Sequence, residues 1–245
     1  MDFGYEECSS KSHRGGQLYQ MRVADLHPTQ SAVGLDEVYA KAEAMRKKSE
    51  DELTAYLITR PVPIVIGNDN KFCLTDHHHQ ARAVWEAARK KNEAGIDQGN
   101  ARVVVEVLYN WSVLKDYEFW KAMHGNGWVY LFNYLGGGPL QPASLPKHIK
   151  DLRNDPYRGL AWYVRSHVGY SKRPADFAEC QWAQYFRMRI ILDNRLLRNE
   201  IQDVDILLSE MKEEDRNAIV EEAIALARSP EAAGLPGHSG FVTRG

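Results

Sequence analysis

The segment from Asp76 to His79 places one carboxylate and three imidazoles in consecutive positions. These side chains donate and accept protons near neutral pH, and they also bind metal ions. Residues 71–75 before them have the composition of a strand, and residues 81–88 after them have apolar side chains at helical spacing. Because the first N–H groups of a helix lack intrahelical partners, this junction predicts a site for an anion, above all phosphate.

Two interpretations of Asp76 remain open. It is either the N-cap of the helix, worth ~1 kcal/mol, or a general base or Mg²⁺-linked carboxylate in a catalytic site. His78 and His79 are the other catalytic candidates, since imidazole can donate to phosphate oxygens or carry a proton. Their structural alternative is packing in the interior with a backbone partner. His77 is a candidate ligand-binding residue.

The three adjacent histidines do not by themselves predict a metal site. Consecutive side chains on a helix point about 100° apart, so they cannot converge on one ion. At most one or two of the rings could combine with a carboxylate elsewhere, for example that of Glu179.

Further candidate ligand-binding residues lie outside this segment. Thr29 and Gln30 occupy the loop after the first predicted strand, although Thr29 could simply close a turn after Pro28. Lys172 lies in a loop between predicted helices, where solvation is the commoner state.

Arg158 and Arg165 are seven residues apart, with Trp162 on the same helical stripe. Two guanidinium groups beside an indole could clamp a phosphate or carboxylate. The alternative is a buried ion pair with Glu179 or Asp155.

Asp76, His78 and His79 resemble the Asp-Gly-His-His-Arg motif of free-serine kinases in the ParB/sulfiredoxin superfamily, with His77 in place of Gly and Gln80 in place of Arg. The chain is also similar to the ParB-like nuclease family. Four blocks carry this similarity: residues 26–34, 76–79, 154–162, and 177–179 with 182–183.

The resemblance implies an α+β fold, with a small mixed β-sheet ParB/sulfiredoxin-like domain and a helical C-terminal extension covering the pocket. It places Thr29 and Gln30 near that pocket. Mg²⁺, and ATP or another nucleotide, are the implied cofactors. Because Gln30 cannot accept a proton as the glutamate of the kinase-like relatives does, serine phosphorylation is disfavoured. Sulfiredoxin chemistry is disfavoured too, because Cys73 lies inside the preceding strand.

The leading function is therefore phosphoryl transfer or hydrolysis on a small phosphate-bearing molecule or nucleotide. The first alternative is a nuclease acting on DNA or RNA, and the second is a non-catalytic nucleotide-dependent binding protein. The chain has 31 basic and 33 acidic residues, a net charge of -2, which does not favour nucleic acid.

Composition indicates an ordinary globular protein, since 245 residues with 44% hydrophobic content can form a core. The three cysteines are far apart, and no signal-like or membrane-length apolar run is present. We expect a cytoplasmic protein without membrane partners.

Local patterns predict a β-α-β-β-α-β order followed by helices. The predicted strands and helices of the first part are 17–23, 36–48, 52–58, 63–66, 71–75, the helix after Asp76, and 102–108. The later helices are 114–124, one starting at 148–153, 156–167, 176–196, 204–211 and 213–227. Gly136–Gly138 with Pro139 predicts a turn. The predicted domain organisation is a flexible N-terminus at 1–16, a ParB/sulfiredoxin-like domain at 17–112, a helical domain at 113–228 and a flexible tail at 229–245.

Overall fold

The computed structural model describes residues 2–12, 17–89, 98–172, 177–192 and 206–240. The chain divides into two compact units. The first comprises Met1–Ala32 and Val38–Arg153, and the second comprises Val33–Glu37 and Asn154–Gly245.

A five-stranded mixed sheet forms the centre of the first unit. Its strands are β1 (Leu18–Arg22), β2 (Leu26–His27), β4 (Val62–Ile66), β5 (Phe72–Leu74) and β6 (Arg102–Asn110), in the order β1-β6-β4-β5-β2. The β1–β6 and β4–β5 pairs are antiparallel, and the β4–β6 and β2–β5 pairs are parallel. The middle strand β4 is rich in β-branched residues and almost wholly buried, as expected for a strand that is paired on both sides.

Four helices accompany this sheet: α1 (Leu35–Arg46), whose first residues belong to the second unit, α2 (Glu50–Ile58), α3 (His78–Arg89) and α4 (Asp116–Gly125). Helix α2 begins with a capping box, because Ser49 and Glu52 bond each other's backbone N–H groups. Helix α3 is strongly amphipathic and most of its residues are buried, so its start is held firmly in the unit.

The second unit is built mainly from α5 (Pro156–Ser166), α6 (Ala178–Arg187) and α7 (Glu213–Arg228). Trp182 and Phe186 are fully buried in its core with Leu160. Gly34 is required by close packing, because a Cβ there would lie 2.7 Å from the backbone nitrogen of Gly159. A separate two-stranded sheet pairs β3 (Ala32–Val33) with β7 (Arg153–Asn154).

The α+β class and the predicted strand and helix order are confirmed. The helix expected to start at 148–153 is wrong, since Ile149–Asp151 forms a single 3-10 turn and leads into β7. Short strands β2, β3 and β7 were not predicted. The two compact units divide at Arg153, and the predicted domain organisation stays a prediction. Parts of the predicted helices 176–196 and 204–211 lie outside the described residues.

Within the described ranges, no helix is both long and apolar enough to cross a membrane.

Candidate functional site

Asp76 lies just before helix α3 and is exposed to solvent. Its Oδ1 accepts a hydrogen bond from the backbone N–H of His77 at 2.6 Å. The carbonyl of His77 accepts the first intrahelical bond, from the N–H of Ala81 at 2.9 Å, and this identifies His77 as the N-cap. The prediction that Asp76 caps the helix is therefore wrong, because its carboxylate bonds the N–H of the next residue outside the helix.

His77 adopts a left-handed conformation with φ of 62°. This conformation is uncommon for residues other than glycine. It reverses the chain direction between β5 and α3, so that Asp76 remains in solvent while His78 enters the interior. Glycine adopts this conformation easily because it has no Cβ.

His78 is 3% exposed and connects helix α3 to the loop after β2. Its Nε2 accepts a hydrogen bond from the backbone N–H of Thr29 at 3.1 Å and lies 3.2 Å from Thr29 Oγ1. The Thr29 hydroxyl donates to the carbonyl oxygen of Leu74 at 2.7 Å. Because Nε2 acts as an acceptor, the proton of the neutral ring lies on Nδ1. This geometry matches the structural alternative for His78, with a backbone partner in the interior, and its catalytic role stays a prediction.

Gln30, in the loop after β2, and Gln80, on α3, are both buried. Gln30 is 2% exposed, and its Nε2 has no hydrogen-bond partner within the described part of the chain. Gln80 is also buried, and its Nε2 donates to the carbonyl of Arg60 at 2.8 Å. The side-chain amide of Gln80 thus holds the backbone at Arg60. His79 is 9% exposed.

Arg82, on α3, was not singled out from the sequence. Its guanidinium group is buried, with Nε 2.9 Å from Glu86 Oε1. Its Nη1 donates to the carbonyls of Ile149, Lys150 and Leu152 at 3.1, 2.7 and 3.0 Å. The signal in the sequence was an Arg–Glu pair at i, i+4, which is ordinarily a solvent-exposed pattern. Here it fixes residues 149–152 to the helix that begins at the junction.

The other candidate residues belong to the second unit. Arg165 Nη2 lies 3.4 Å from Glu37 Oε1, and Nη1 forms an ion pair with Glu179. The ion-pair alternative for Arg165 and Glu179 is therefore confirmed. Arg158 is 6% exposed, whereas Lys172 is exposed to solvent.

Asp155, the other partner considered for these arginines, forms an ion pair with Arg187. Both of its carboxylate oxygens lie 2.7 Å from Arg187 Nη2. Oδ1 also accepts from the backbone N–H of Tyr157 at 3.0 Å, so Asp155 caps helix α5. This pair connects α5 to α6 inside the second unit.

The cysteines do not offer a reactive thiolate near the junction. All three are free thiols, and burial raises the pKa of Cys73, in β5, to about 12. A thiol with such a pKa stays protonated at neutral pH and is a poor nucleophile.

Comparisons with known proteins relate the chain to one family. Residues 19–188 match the family described as "Putative ParB-like nuclease". Among solved structures, the crystal structure of protein Atu1540 from Agrobacterium tumefaciens is similar, with 31% sequence identity and a TM-score of 0.70. That alignment covers 92% of this chain and 99% of the other. No curated protein matches the chain.

Proposed function

Because the chain belongs to the ParB-like nuclease family, we propose that it hydrolyses a phosphoester bond of a nucleotide-type substrate at the junction before α3. The observation that carries this proposal is the exposed carboxylate of Asp76. Its Oδ1 is held by the N–H of His77, and its Oδ2 has no partner within the described residues. A fixed carboxylate with one available oxygen in solvent is suited to accept a proton from water.

The proposed reaction is in-line attack of water on phosphorus. Asp76 Oδ2 takes the proton of the attacking water, the phosphorus–oxygen bond to the leaving group breaks, and the leaving oxygen takes a proton from solvent. The first turn of α3 supports this chemistry, since the positive end of a helix dipole favours an anion. His77 and His79 are the candidate phosphate contacts, whereas His78 is the positioning residue that joins the junction to Thr29.

The donor set of the junction is compatible with a magnesium ion bound mainly through the substrate. Mg²⁺ commonly keeps several waters and takes only one or two protein carboxylates together with substrate phosphates. Asp76 would hold the ion through one of these waters, which leaves Oδ2 as the proton acceptor, and the ion would neutralise charge on the phosphate. Gln30 and Gln80 do not supply further carboxylates, and this weakens the case for a kinase-like transfer to serine.

Two observations bear on the size of the substrate. The net charge of -2 favours a mononucleotide or short oligonucleotide, because proteins that neutralise many phosphates carry a basic excess. The family description favours a nucleic-acid strand, so a nuclease is the second candidate function.

The test is a hydrolysis assay with Mg²⁺ on nucleoside mono-, di- and triphosphates, on single- and double-stranded DNA, and on RNA. Wild type is compared with Asp76→Asn and, as a matched control, with Asp69→Asn, another acid in a left-handed turn of the same unit. We expect Asp76→Asn to lose at least about a hundredfold in kcat while Asp69→Asn retains wild-type rates.

If Asp76→Asn and Asp69→Asn hydrolyse the substrates at equal rates, Asp76 is not the general base. Hydrolysis of the strands but not of the mononucleotides would replace the leading substrate class with nucleic acid. Specific binding without turnover of any substrate would leave the non-catalytic nucleotide-binding function.

A further inference from the structure

The first unit contains an open pocket of about 420 Å³ that involves none of the junction residues. Ser31 and Arg153 line one part of it, Asn133 and Tyr134 another, and Lys147 a third. Small-molecule sites commonly have volumes of ~300–1,000 Å³. This pocket is therefore large enough for a ligand of the size of a nucleoside monophosphate.

The charged lining of the pocket is predominantly basic. Lys147 and Arg153 are opposed by one acid, Asp151, and His148 adds positive charge whenever it is protonated. Lys147 forms no ion pair with any described residue. The guanidinium group of Arg153 lies over the ring of Tyr134, 5.2 Å from its centroid, which orients the group. An arginine fork and a lysine at one pocket are the side chains that bind phosphate.

Asn133, Tyr134 and Leu140, three residues of the pocket lining, belong to a loop that contains the glycine run. The N–H of Asn133 donates to the carbonyl of Gly137 at 2.8 Å, and the N–H of Leu140 donates to that of Leu131 at 2.7 Å. A Cβ at Gly138 would lie 2.5 Å from the Leu131 carbonyl oxygen, so only glycine allows this approach. The turn predicted for this motif is thus a closed loop that presents Asn133 and Tyr134 to the pocket.

Helix α3 holds the segment 147–153, which supplies four residues of the pocket lining. Arg82 donates to the carbonyls of Ile149, Lys150 and Leu152 in this segment. Ser31, which also lines the pocket, donates from Oγ to the carbonyl of Phe132 at 2.6 Å. The basic side chains therefore project from a backbone fixed on both sides, so binding requires little ordering of the chain.

We propose that this pocket binds a small phosphate-bearing molecule, with Lys147 and Arg153 contacting the phosphate and the Tyr134 ring beside the remainder of the ligand. The inference does not depend on hydrolysis at Asp76. A substrate and an effector share the phosphate chemistry that this pocket recognises.

Isothermal titration calorimetry of the full-length chain with adenosine 5′-monophosphate, inorganic phosphate and adenosine tests the proposal. We expect the monophosphate and phosphate to bind and adenosine not to bind. Lys147→Ala and Arg153→Ala each lose about tenfold or more in affinity, as expected for the loss of a charge-assisted hydrogen bond. Lys150→Ala is the matched control, because it removes the same charge from the same segment but from a residue outside the pocket lining.

Three results would overturn the proposal: no binding of either anion to wild type at millimolar concentration, equal affinity of Lys147→Ala and Lys150→Ala, or binding of adenosine as tight as that of its monophosphate. Asp76→Asn separates this proposal from the proposed function. If Asp76→Asn abolishes binding while Lys147→Ala preserves it, the ligand belongs to the junction. If Asp76→Asn binds normally but does not catalyse, both proposals stand.

Discussion

The backbone N–H of Thr29 donates a hydrogen bond to Nε2 of His78, 3.1 Å away, across 49 residues of chain. This bond joins the loop after β2 to the first residue of α3, and both partners are buried. A buried N–H that loses its acceptor is destabilising by about 1–3 kcal/mol. His78, which the sequence suggested as a catalytic group, therefore helps to fix the position of the junction that carries Asp76.

His78→Ala is expected to lower the free energy of unfolding by about 1–3 kcal/mol, because the Thr29 N–H is left without its acceptor. Thr29→Ala keeps that N–H and removes the hydroxyl, which donates to Leu74 and lies 3.2 Å from His78 Nε2, so its effect is expected to be about 1 kcal/mol. Urea denaturation of the two variants measures the difference. A larger loss for Thr29→Ala than for His78→Ala would contradict the arrangement.

Arg82→Leu is expected to destabilise the protein by about 3–5 kcal/mol, because Glu86 loses its buried partner and three carbonyls lose their donor. Arg89→Leu is the control. Arg89 also bonds Glu86, at 3.0 Å, but its side chain is 56% exposed, so the expected change is within about 1 kcal/mol. Thermal and urea unfolding compare the two. Similar losses would mean that the bonds to residues 149–152 contribute little.

Asp155→Ala is expected to destabilise the second unit by about 3–5 kcal/mol, since Arg187 loses both bonds to a buried carboxylate and α5 loses its cap. The stability of Asp155→Asn should lie between that of Asp155→Ala and that of wild type, because its amide oxygen can still accept from the N–H of Tyr157.

Asp25→Ala is the control. It breaks an exposed pair with Arg22 and should change the free energy of unfolding by less than about 1 kcal/mol. Chemical denaturation followed by tryptophan fluorescence ranks the stabilities of these variants. If Asp155→Asn is as unstable as Asp155→Ala, the charge of the carboxylate contributes more than the cap.

His27 is expected to make the stability of the protein depend on pH. Burial, followed by the positive charge of His148, lowers the pKa of His27 below its ordinary value of 6.5. The unfolded chain therefore takes up the proton at a higher pH than the folded protein does. The contribution is fully present above about pH 6.5 and is lost as pH falls from there toward the folded pKa.

The measurement is the free energy of unfolding in urea between about pH 7.5 and about pH 5. His27→Gln should reduce the loss of stability on acidification, whereas His124→Gln, which removes an exposed histidine of the same unit, should leave it unchanged. The interpretation fails if both variants lose stability as wild type does.

Local patterns were sufficient for much of the first unit. Alternating and continuous apolar residues predicted β1, β4, β5 and β6, and helical spacing predicted α3, because these elements bury one face against a sheet. The same patterns located the junction, because the two-residue spacing of a strand ends there and the helical spacing of apolar residues begins. The two-residue strands β2, β3 and β7 were missed, because elements of that length carry no periodic signal.

The amino-acid sequence by itself determined the α+β class, the order of strands and helices, and the place where Asp76 and the histidines meet the start of a helix. Only the tertiary structure decided what those residues do there: His77 rather than Asp76 caps α3, and His78 accepts from Thr29. It also decided that Arg82 reaches carbonyls 67 to 70 residues away and that Ser31, Tyr134 and Lys147 line one pocket. The reason is physical. Periodicity reports which face of an element is buried, whereas hydrogen-bond partners and cavities are set by contacts between segments far apart in the chain.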